Sequence, residues 1–101
     1  MVQGFQKRYL RGLAHHLKPV VHLGQQGMSA GLLAAVNEAL ELHELIKVRF
    51  VDFKEREIKR ELAAAIGRET ASELVGLIGN LAIFYRPAAD EERRRIVLPS
   101  R

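Results

Sequence analysis

The sequence predicts an α/β fold, a two-layer sandwich with the element order α-β-α-β-α-β-β and a four-stranded mixed sheet. Three segments carry apolar residues at helical spacing, and four shorter runs alternate or are rich in β-branched residues. Helices that alternate with strands are typical of a sheet packed against helices. The last two strands are joined only by Gly79-Asn80, a loop too short for a crossover, so they are expected to pair antiparallel.

The first helix is predicted over residues 5–17, where apolar residues recur at steps of four. This stripe is expected to pack on the sheet, and it consists of Phe5, Tyr9, Leu13 and Leu17, with Leu10 beside it. Pro19 then ends the helix. The β-branched run at 20–23 is the first predicted strand, and the glycine loop Gly24-Gln25-Gln26-Gly27 follows it.

A helix over residues 30–42 and a strand over 45–53 come next. Ser29 is suited to cap the helix, because its hydroxyl can accept a backbone N–H of the first turn. The strand alternates, with Ile46, Val48 and Phe50 on one face and Lys47 and Arg49 on the other. The two basic residues either extend a binding surface across the sheet or form the solvated side of a half-buried strand.

The third helix is predicted over residues 54–66. Asp52 and Glu55 lie before it at the spacing of a capping box, and Gly67 is expected to end it. After the strands of the final hairpin, at 73–78 and 81–86, Arg86 is expected to be structural and to pair with a carboxylate at the sheet edge.

The 101 residues predict one domain over 1–101, with a core at about 5–87 and a charged extension at 88–101. Three acidic residues precede three arginines in the extension, which predicts a locally salt-bridged or disordered segment. The absence of cysteine excludes disulfides, Cys-based metal sites and thiol catalysis.

The early part of the chain does not resemble a signal peptide, because Lys7, Arg8 and Arg11 interrupt every apolar run. No stretch approaches the roughly 20 apolar residues of a membrane span. We therefore expect a soluble cytoplasmic monomer without a membrane partner.

The positive charge is concentrated at the start of the sequence. The first acidic residue is Glu38, and the whole net charge of +4 lies in the first 37 residues. A region of one sign attracts polyanions, although a solvated helix face has the same composition. Cationic side chains recur along the first helix and just after it: Lys7, Arg8, Arg11, His15 and Lys18.

The glycine loop is a second candidate for binding an anion. Gly24 and Gly27 allow a tight turn and a close approach of a ligand to the backbone. The following helix directs its free N–H groups and the positive end of its dipole to the same place, which favours phosphate. An ordinary turn is the alternative. If the first helix packs beside the loop, its cations and the loop form one continuous backbone-binding surface, with His22 near the loop mouth.

Several short motifs, in this order and spacing, resemble the YhbY-like CRM domain (chloroplast RNA splicing and ribosome maturation). They are Lys7-Arg8-Tyr9-Leu10-Arg11, Leu13-Ala14, Leu17-Lys18-Pro19-Val20, Leu23-Gly24-Gln25-Gln26-Gly27, Glu44-Leu45-Ile46-Lys47-Val48, Ile78-Gly79 and Tyr85-Arg86-Pro87. The resemblance covers about residues 5–98. It implies a fold like the C-terminal domain of bacterial translation initiation factor three.

The same resemblance implies that the GxxG loop and nearby basic residues bind RNA. Bacterial members with a single domain are implicated in assembly of the large ribosomal subunit, through pre-50S particles and their RNA. Family loops often hold a basic residue between the glycines, and this chain has Gln25 and Gln26 instead. More of the electrostatic attraction is therefore expected from the first helix.

The sequence offers no catalytic constellation. No acid precedes Glu38, Ser29 is better explained as a helix cap, and the adjacent His15 and His16 point about 100° apart on a helix, so with His22 they do not predict a zinc site. We expect no enzyme activity, cofactor, metal or small-molecule substrate.

The predicted function is RNA binding in ribosome assembly, with large-subunit rRNA or pre-50S particles as the partner. The residues predicted to contact RNA are Lys7, Arg8, Arg11, His15, Lys18, His22, Gly24, Gln25, Gln26, Gly27, Lys47 and Arg49. The alternative is a protein-interaction module that docks on a ribosomal or other factor, whose affinity would hardly respond to salt.

Overall fold

The computed structural model of the chain describes residues 2–24 and 27–100, and the predicted order of helices and strands is confirmed. The helices are α1 (Gly4–Ala14), α2 (Ala30–His43) and α3 (Arg56–Glu69). The strands are β1 (Val21–Leu23), β2 (Leu45–Phe50), β3 (Glu73–Ile78) and β4 (Leu81–Tyr85). A short 3-10 helix, Glu91–Arg93, lies in the C-terminal extension.

The strands form one mixed sheet in the order β1-β2-β4-β3. β1 pairs parallel with β2, while β4 pairs antiparallel with both β2 and β3. Gly79 has φ 58 in the β3–β4 turn, a conformation that glycine adopts without a steric clash. β1 is an edge strand, so Gly24, which follows it directly, lies at the border of the sheet.

Helices cover both faces of the sheet, which adds a layer to the predicted sandwich. α2 and α3 lie on one face, over a core that includes Leu23, Val36, Val48, Phe50, Ile66 and Phe84. α1 lies on the other, where the buried residues are Leu10, Ala14, Leu45, Val75, Ile83 and Tyr85. Successive residues of β2 and β4 point to opposite faces of the sheet, and both faces carry apolar side chains. Each face therefore needs a helix to exclude water.

The side of α1 that packs on the sheet differs from the predicted one. Leu10 and Ala14 are the side chains that pack fully against the sheet. Three members of the predicted stripe stay partly in solvent: Tyr9 is 42% exposed, Leu13 39% and Leu17 39%. A spacing of four identifies a helix face but not which of two neighbouring faces meets the sheet. The small side chain of Ala14 lets the helix approach closely, and this selects the Leu10 face.

α3 starts and ends later than predicted. Glu55 is the N-cap residue without a side-chain capping bond, and Asp52 has φ 66, so the predicted capping box is absent. Gly67 lies inside the helix instead of ending it. It is buried, and a Cβ there would lie 3.2 Å from the carbonyl oxygen of Ser72. The glycine therefore serves close packing rather than helix termination.

The C-terminal extension is anchored to the end of α2 by Glu44, which is 4% exposed. Its carboxylate accepts N–H groups from Ala88 at 2.9 Å, Arg95 at 2.8 Å and Ile96 at 3.3 Å. Burial alone would raise the pKa of the Glu44 carboxyl, but these donors and the nearby Arg94 hold the pKa below its usual value.

The predicted character of the extension is therefore only partly right. Arg94 does make a local ion pair with Glu91, at 4.0 Å. However, Ile96 and Leu98 also pack against the α1-side core, and the side chain of Gln6 donates to the carbonyl oxygen of Pro99 at 3.1 Å. The extension is part of the folded domain.

Candidate nucleic-acid interface

A groove of 430 Å³ runs along the edge strand β1 and the start of α2, beside the glycine loop. Its lining includes His22, Gly24, Gly27 and Ser29, and no acidic residue. The predicted contacts Gln25 and Gln26 lie outside the described residues. The groove can therefore admit an anion next to the backbone of the flanking glycines.

The backbone around the loop is shaped for a close approach. The N–H of Gly27 donates to the carbonyl oxygen of Gly24 at 3.0 Å, and Gly27 has φ 70. A Cβ at either glycine would meet no atom within 4 Å, so the space above them is open. Ser29 caps α2 as predicted, because its hydroxyl accepts the N–H of Leu32 at 3.0 Å.

A second concavity, of 260 Å³, lies between α1 and the uncovered end of the sheet. Arg11, His15 and Lys47 line it, over an apolar floor of Ile78, Leu81 and Ile83. Arg11 lies along the sheet, where its guanidinium donates to the carbonyl oxygen of Val75 at 2.9 Å. The cavity thus combines cationic groups with an apolar surface.

Gly76 is what lets Arg11 lie flat on the sheet. A Cβ at Gly76 would come within 2.8 Å of Cδ and 3.3 Å of Cγ of Arg11. Such distances are below normal van der Waals contact, so any other residue would push the arginine stem away. Sequence reasoning missed this glycine, because a glycine within a strand pattern gives no hint of the side chain that lies across it.

Lys47 does not form the solvated side of a strand, which was one of the two alternatives predicted for it. The residue is 8% exposed beneath the end of α1, where it lines the second concavity. Its ammonium donates to the carbonyl oxygens of Leu17 at 2.9 Å and His15 at 3.4 Å. These bonds hold the turn that follows α1, and the helix ends at Ala14 instead of residue 17.

His22 and Arg49 are neighbours in the β1–β2 register, and both are exposed. Val21, Leu23, Val48 and Phe50 face the α2–α3 core, so the alternation of the strands turns His22 and Arg49 to the α1 side. Arg49 also pairs with Leu81, which lines the second concavity. We call the row formed by His22, Arg49, Arg11 and His15 the cationic band, after its two arginines.

We call the 430 Å³ groove beside Gly24 and Gly27 the glycine groove. The cationic band connects it to the concavity under α1. Among residues 2–24 and 27–100, the ion pairs are Arg86–Glu41 and Arg94–Glu91, so no carboxylate lies within salt-bridge distance of the band. Neither cavity has an acidic lining residue. Unpaired cations beside an open backbone are arranged to hold phosphates.

The remaining predicted residues do not all join this surface. Arg8 is exposed on α1 and Lys7 is half-buried beside it. Lys18 lines a different groove, together with apolar residues. The single continuous surface that the sequence predicted therefore divides, and the part next to the loop is formed by the strands and one flank of α1.

Arg86 has the structural role that the sequence predicted. Its guanidinium donates to the side chain of Asn37 at 2.8 Å and to the carbonyl oxygen of Thr70 at 2.7 Å. It also pairs with the carboxylate of Glu41 at 3.4 Å. These contacts tie α2 to the end of α3, on the opposite side of the sheet from α1.

Residues 2–24 and 27–100 contain no cluster of three or more His, Cys, Asp or Glu side chains that could hold a metal ion. None of the helices described there has the length and apolar character needed to cross a membrane.

Comparison with known proteins gives consistent matches. The CRS1 / YhbY (CRM) domain matches residues 3–86. An "RNA-binding protein" of Haemophilus influenzae is 48% identical over 94 residues, which cover 93% of this chain and 91% of that protein. "Probable RNA-binding protein YqeI" of Bacillus subtilis is 38% identical over 99 residues, 98% of this chain and 100% of that protein.

One solved structure has the same fold. The solution structure of a candidate RNA-binding protein from Staphylococcus aureus matches with a TM-score of 0.84 and 37% sequence identity. The match covers 98% of this chain and 100% of that one. The similarity therefore includes both the strands of the cationic band and the C-terminal extension.

Proposed function

Because the chain belongs to the CRS1 / YhbY (CRM) domain family, we propose that it binds RNA through the cationic band and the adjoining glycine groove. The observation that carries the proposal is that the cationic band and the glycine groove are continuous. His22 lines the groove and is paired in register with Arg49, and no carboxylate of the described residues 2–24 and 27–100 lies within salt-bridge distance of the band. RNA is a chain of evenly spaced anionic groups, which such a row can follow.

Each part of the surface has a different task in this proposal. Arg11 and Arg49 attract phosphates as charged donors, and each contact releases counterions, which makes binding sensitive to salt. Gly24 and Gly27 leave room for one phosphate to reach the N–H groups at the start of α2, which fixes the position of the RNA strand. The apolar floor at Ile78 and Leu81 is suited to an unstacked base, because every base has an apolar face.

We further propose that the RNA is large-subunit rRNA in pre-50S particles, and that the protein acts in ribosome assembly in the cytoplasm without catalysis. The resemblance of the motifs to single-domain bacterial CRM proteins supports this choice. The proposal needs no cofactor, because positioning phosphates and bases requires only donors and apolar surface.

The test in solution measures affinity for a structured large-subunit rRNA fragment at several salt concentrations. The double variant Arg11→Gln, Arg49→Gln should lose about tenfold or more in affinity, and the slope of log affinity against log salt should fall by about 2. The matched control is Arg60→Gln, Arg68→Gln, which removes the same charge from exposed positions of α3. Equal affinity in both double variants would contradict the proposal.

The test in cells is crosslinking followed by sequencing of the attached RNA. We expect large-subunit rRNA and its precursors among the recovered sequences. Recovery of other RNA alone would refute the ribosomal part of the proposal and leave RNA binding intact. Recovery of no RNA, together with a flat salt dependence in solution, would refute RNA binding itself.

A further inference from the structure

The apolar side of α1 that does not face the sheet forms a second surface. We call the side chains of Tyr9, Leu13, Leu17 and Val20 the apolar flank. They are 42%, 39%, 39% and 49% exposed. Tyr9 and Leu13 lie one turn apart on one side of the helix, and Leu17 and Val20 continue the row after its end. An amphipathic face that the domain itself leaves uncovered is typical of an interaction site.

Below the apolar flank lies a groove of 470 Å³. Leu13, Leu17 and Val20 form one wall, and Leu45, Ile46 and Ile96 complete the apolar lining. The groove is bounded by α1, the start of β2 and the anchored C-terminal extension, so its shape depends on three separate segments. A concave apolar site of this kind can bury side chains that a flat patch could not.

The charges around the groove restrict what can fill it. The titratable residues in its lining are Lys18 and His43, and no acidic residue is among them. A second copy of the chain would bring the acid-free first 37 residues against themselves, and like charges facing each other oppose such a contact. A partner that supplies carboxylates has complementary charge.

We propose that this groove docks a protein segment that carries apolar residues at helical spacing, flanked by Asp or Glu. The apolar side chains enter between α1 and Ile96, and a carboxylate pairs with Lys18 at the rim. This contact is independent of RNA binding, because the cationic band lies on the opposite flank of α1. One helix thus separates a nucleic-acid surface from a protein surface.

The probe is a labelled helical peptide with leucines at positions i, i+3, i+4 and i+7 and glutamates between them. Fluorescence anisotropy measures its binding to the full chain. We expect saturable binding with a dissociation constant below about 1 mM. A peptide with the same leucines and with lysine in place of glutamate should bind at least about tenfold more weakly, because Lys18 would repel it.

Two sets of variants locate the contact. The double variant Leu13→Gln, Leu17→Gln should bind the acidic peptide about tenfold or more weakly, because it loses apolar contact area. Lys18→Glu leaves the apolar wall intact and should reverse the preference between the acidic and the basic peptide. This charge swap keeps the proposal testable even if the leucine variant loses its fold, and circular dichroism reports the fold of each variant.

Four outcomes would overturn the proposal. The first is no saturable binding of the acidic peptide, and the second is binding that neither variant set changes. The third is a loss of affinity for rRNA in the folded leucine variant, which would assign the apolar flank to the RNA surface. The fourth is a dimer of the parent chain, in sedimentation equilibrium, that the leucine variant abolishes.

Discussion

The two flanks of α1 have opposite character although they belong to one helix of 11 residues. On the flank toward β3, Arg11 lies over Gly76 and joins Arg49 and the two histidines in the cationic band. On the flank toward the C-terminal extension, Leu13 leads to an apolar groove without acidic lining. The difference teaches that the most regular apolar stripe of a helix need not be its core-facing side. The sheet requires only Leu10 and Ala14, which leaves both flanks for binding.

The largest expected effect comes from Lys47→Met, which disturbs both flanks at once. Methionine keeps the apolar stem but leaves the partly buried carbonyl oxygens of His15 and Leu17 without their donor. The loss should be about 1–2 kcal/mol of unfolding free energy. Urea denaturation followed by circular dichroism measures it. A change below about 0.5 kcal/mol would contradict the assigned role of Lys47 in holding the turn after α1.

Gly76→Ala acts on the cationic flank alone. The new Cβ would lie 2.8 Å from Cδ of Arg11, so the arginine must leave the sheet and lose its bond to the carbonyl oxygen of Val75. We expect affinity for rRNA to fall about fivefold, which corresponds to about 1 kcal/mol. Binding of the acidic peptide should not change. If rRNA affinity is retained while the arginine is displaced, Arg11 does not contact RNA in the orientation described.

Acidification acts through Glu44 on the C-terminal extension, which forms one side of the apolar groove. The folded-state pKa of Glu44 is lowered, so its carboxylate stabilises the anchored extension above the unfolded-state pKa and loses this effect as pH falls through the folded-state value. Below a pH of about 4.3, the ordinary glutamate value, we expect the amides of Ala88, Arg95 and Ile96 to lose hydrogen-exchange protection relative to those of β2. Protection that fades equally at all sites would mean that Glu44 does not anchor the extension separately.

The smallest effect is expected for Arg68→Gln, on the face of the molecule away from α1. Arg68 is exposed near the end of α3 and has no described ion pair. The unfolding free energy should change by less than about 0.5 kcal/mol, and binding of both rRNA and peptide should stay within about twofold. A larger loss of rRNA affinity would show that the positive potential of the whole molecule, and not the cationic band, attracts RNA.

Much of the fold follows from local patterns in the sequence. The order of the elements, the β3–β4 hairpin and the Ser29 cap depend on interactions between residues near each other in the chain. The layer formed by α1 and the later start of α3 depend on contacts distant in sequence. The burial of Lys47 is of this kind, because its carbonyl partners lie 30 and 32 positions away.

The candidate site was predicted less completely than the fold. The glycines and most of the cations could be identified, because residue type and charge are visible in the sequence. Which of these residues lie together could not be predicted. Arg49 is placed beside His22 by the register of β1 and β2, and Arg11 lies near them because Gly76 leaves room for its side chain. The position of Lys18 in an apolar groove likewise results from the way the turn after α1 packs.

The most direct measurement is an NMR titration of the labelled chain with a structured large-subunit rRNA fragment. We predict that the amide signals of His22, Gly24 and Arg49 shift or broaden first, while those of His43 and Ile96, which line the apolar groove, remain in place. Adding the acidic peptide afterwards should shift the second group without displacing the RNA. The opposite pattern, with RNA shifting signals around the apolar groove and sparing the cationic band, would contradict the division of α1 into two binding flanks.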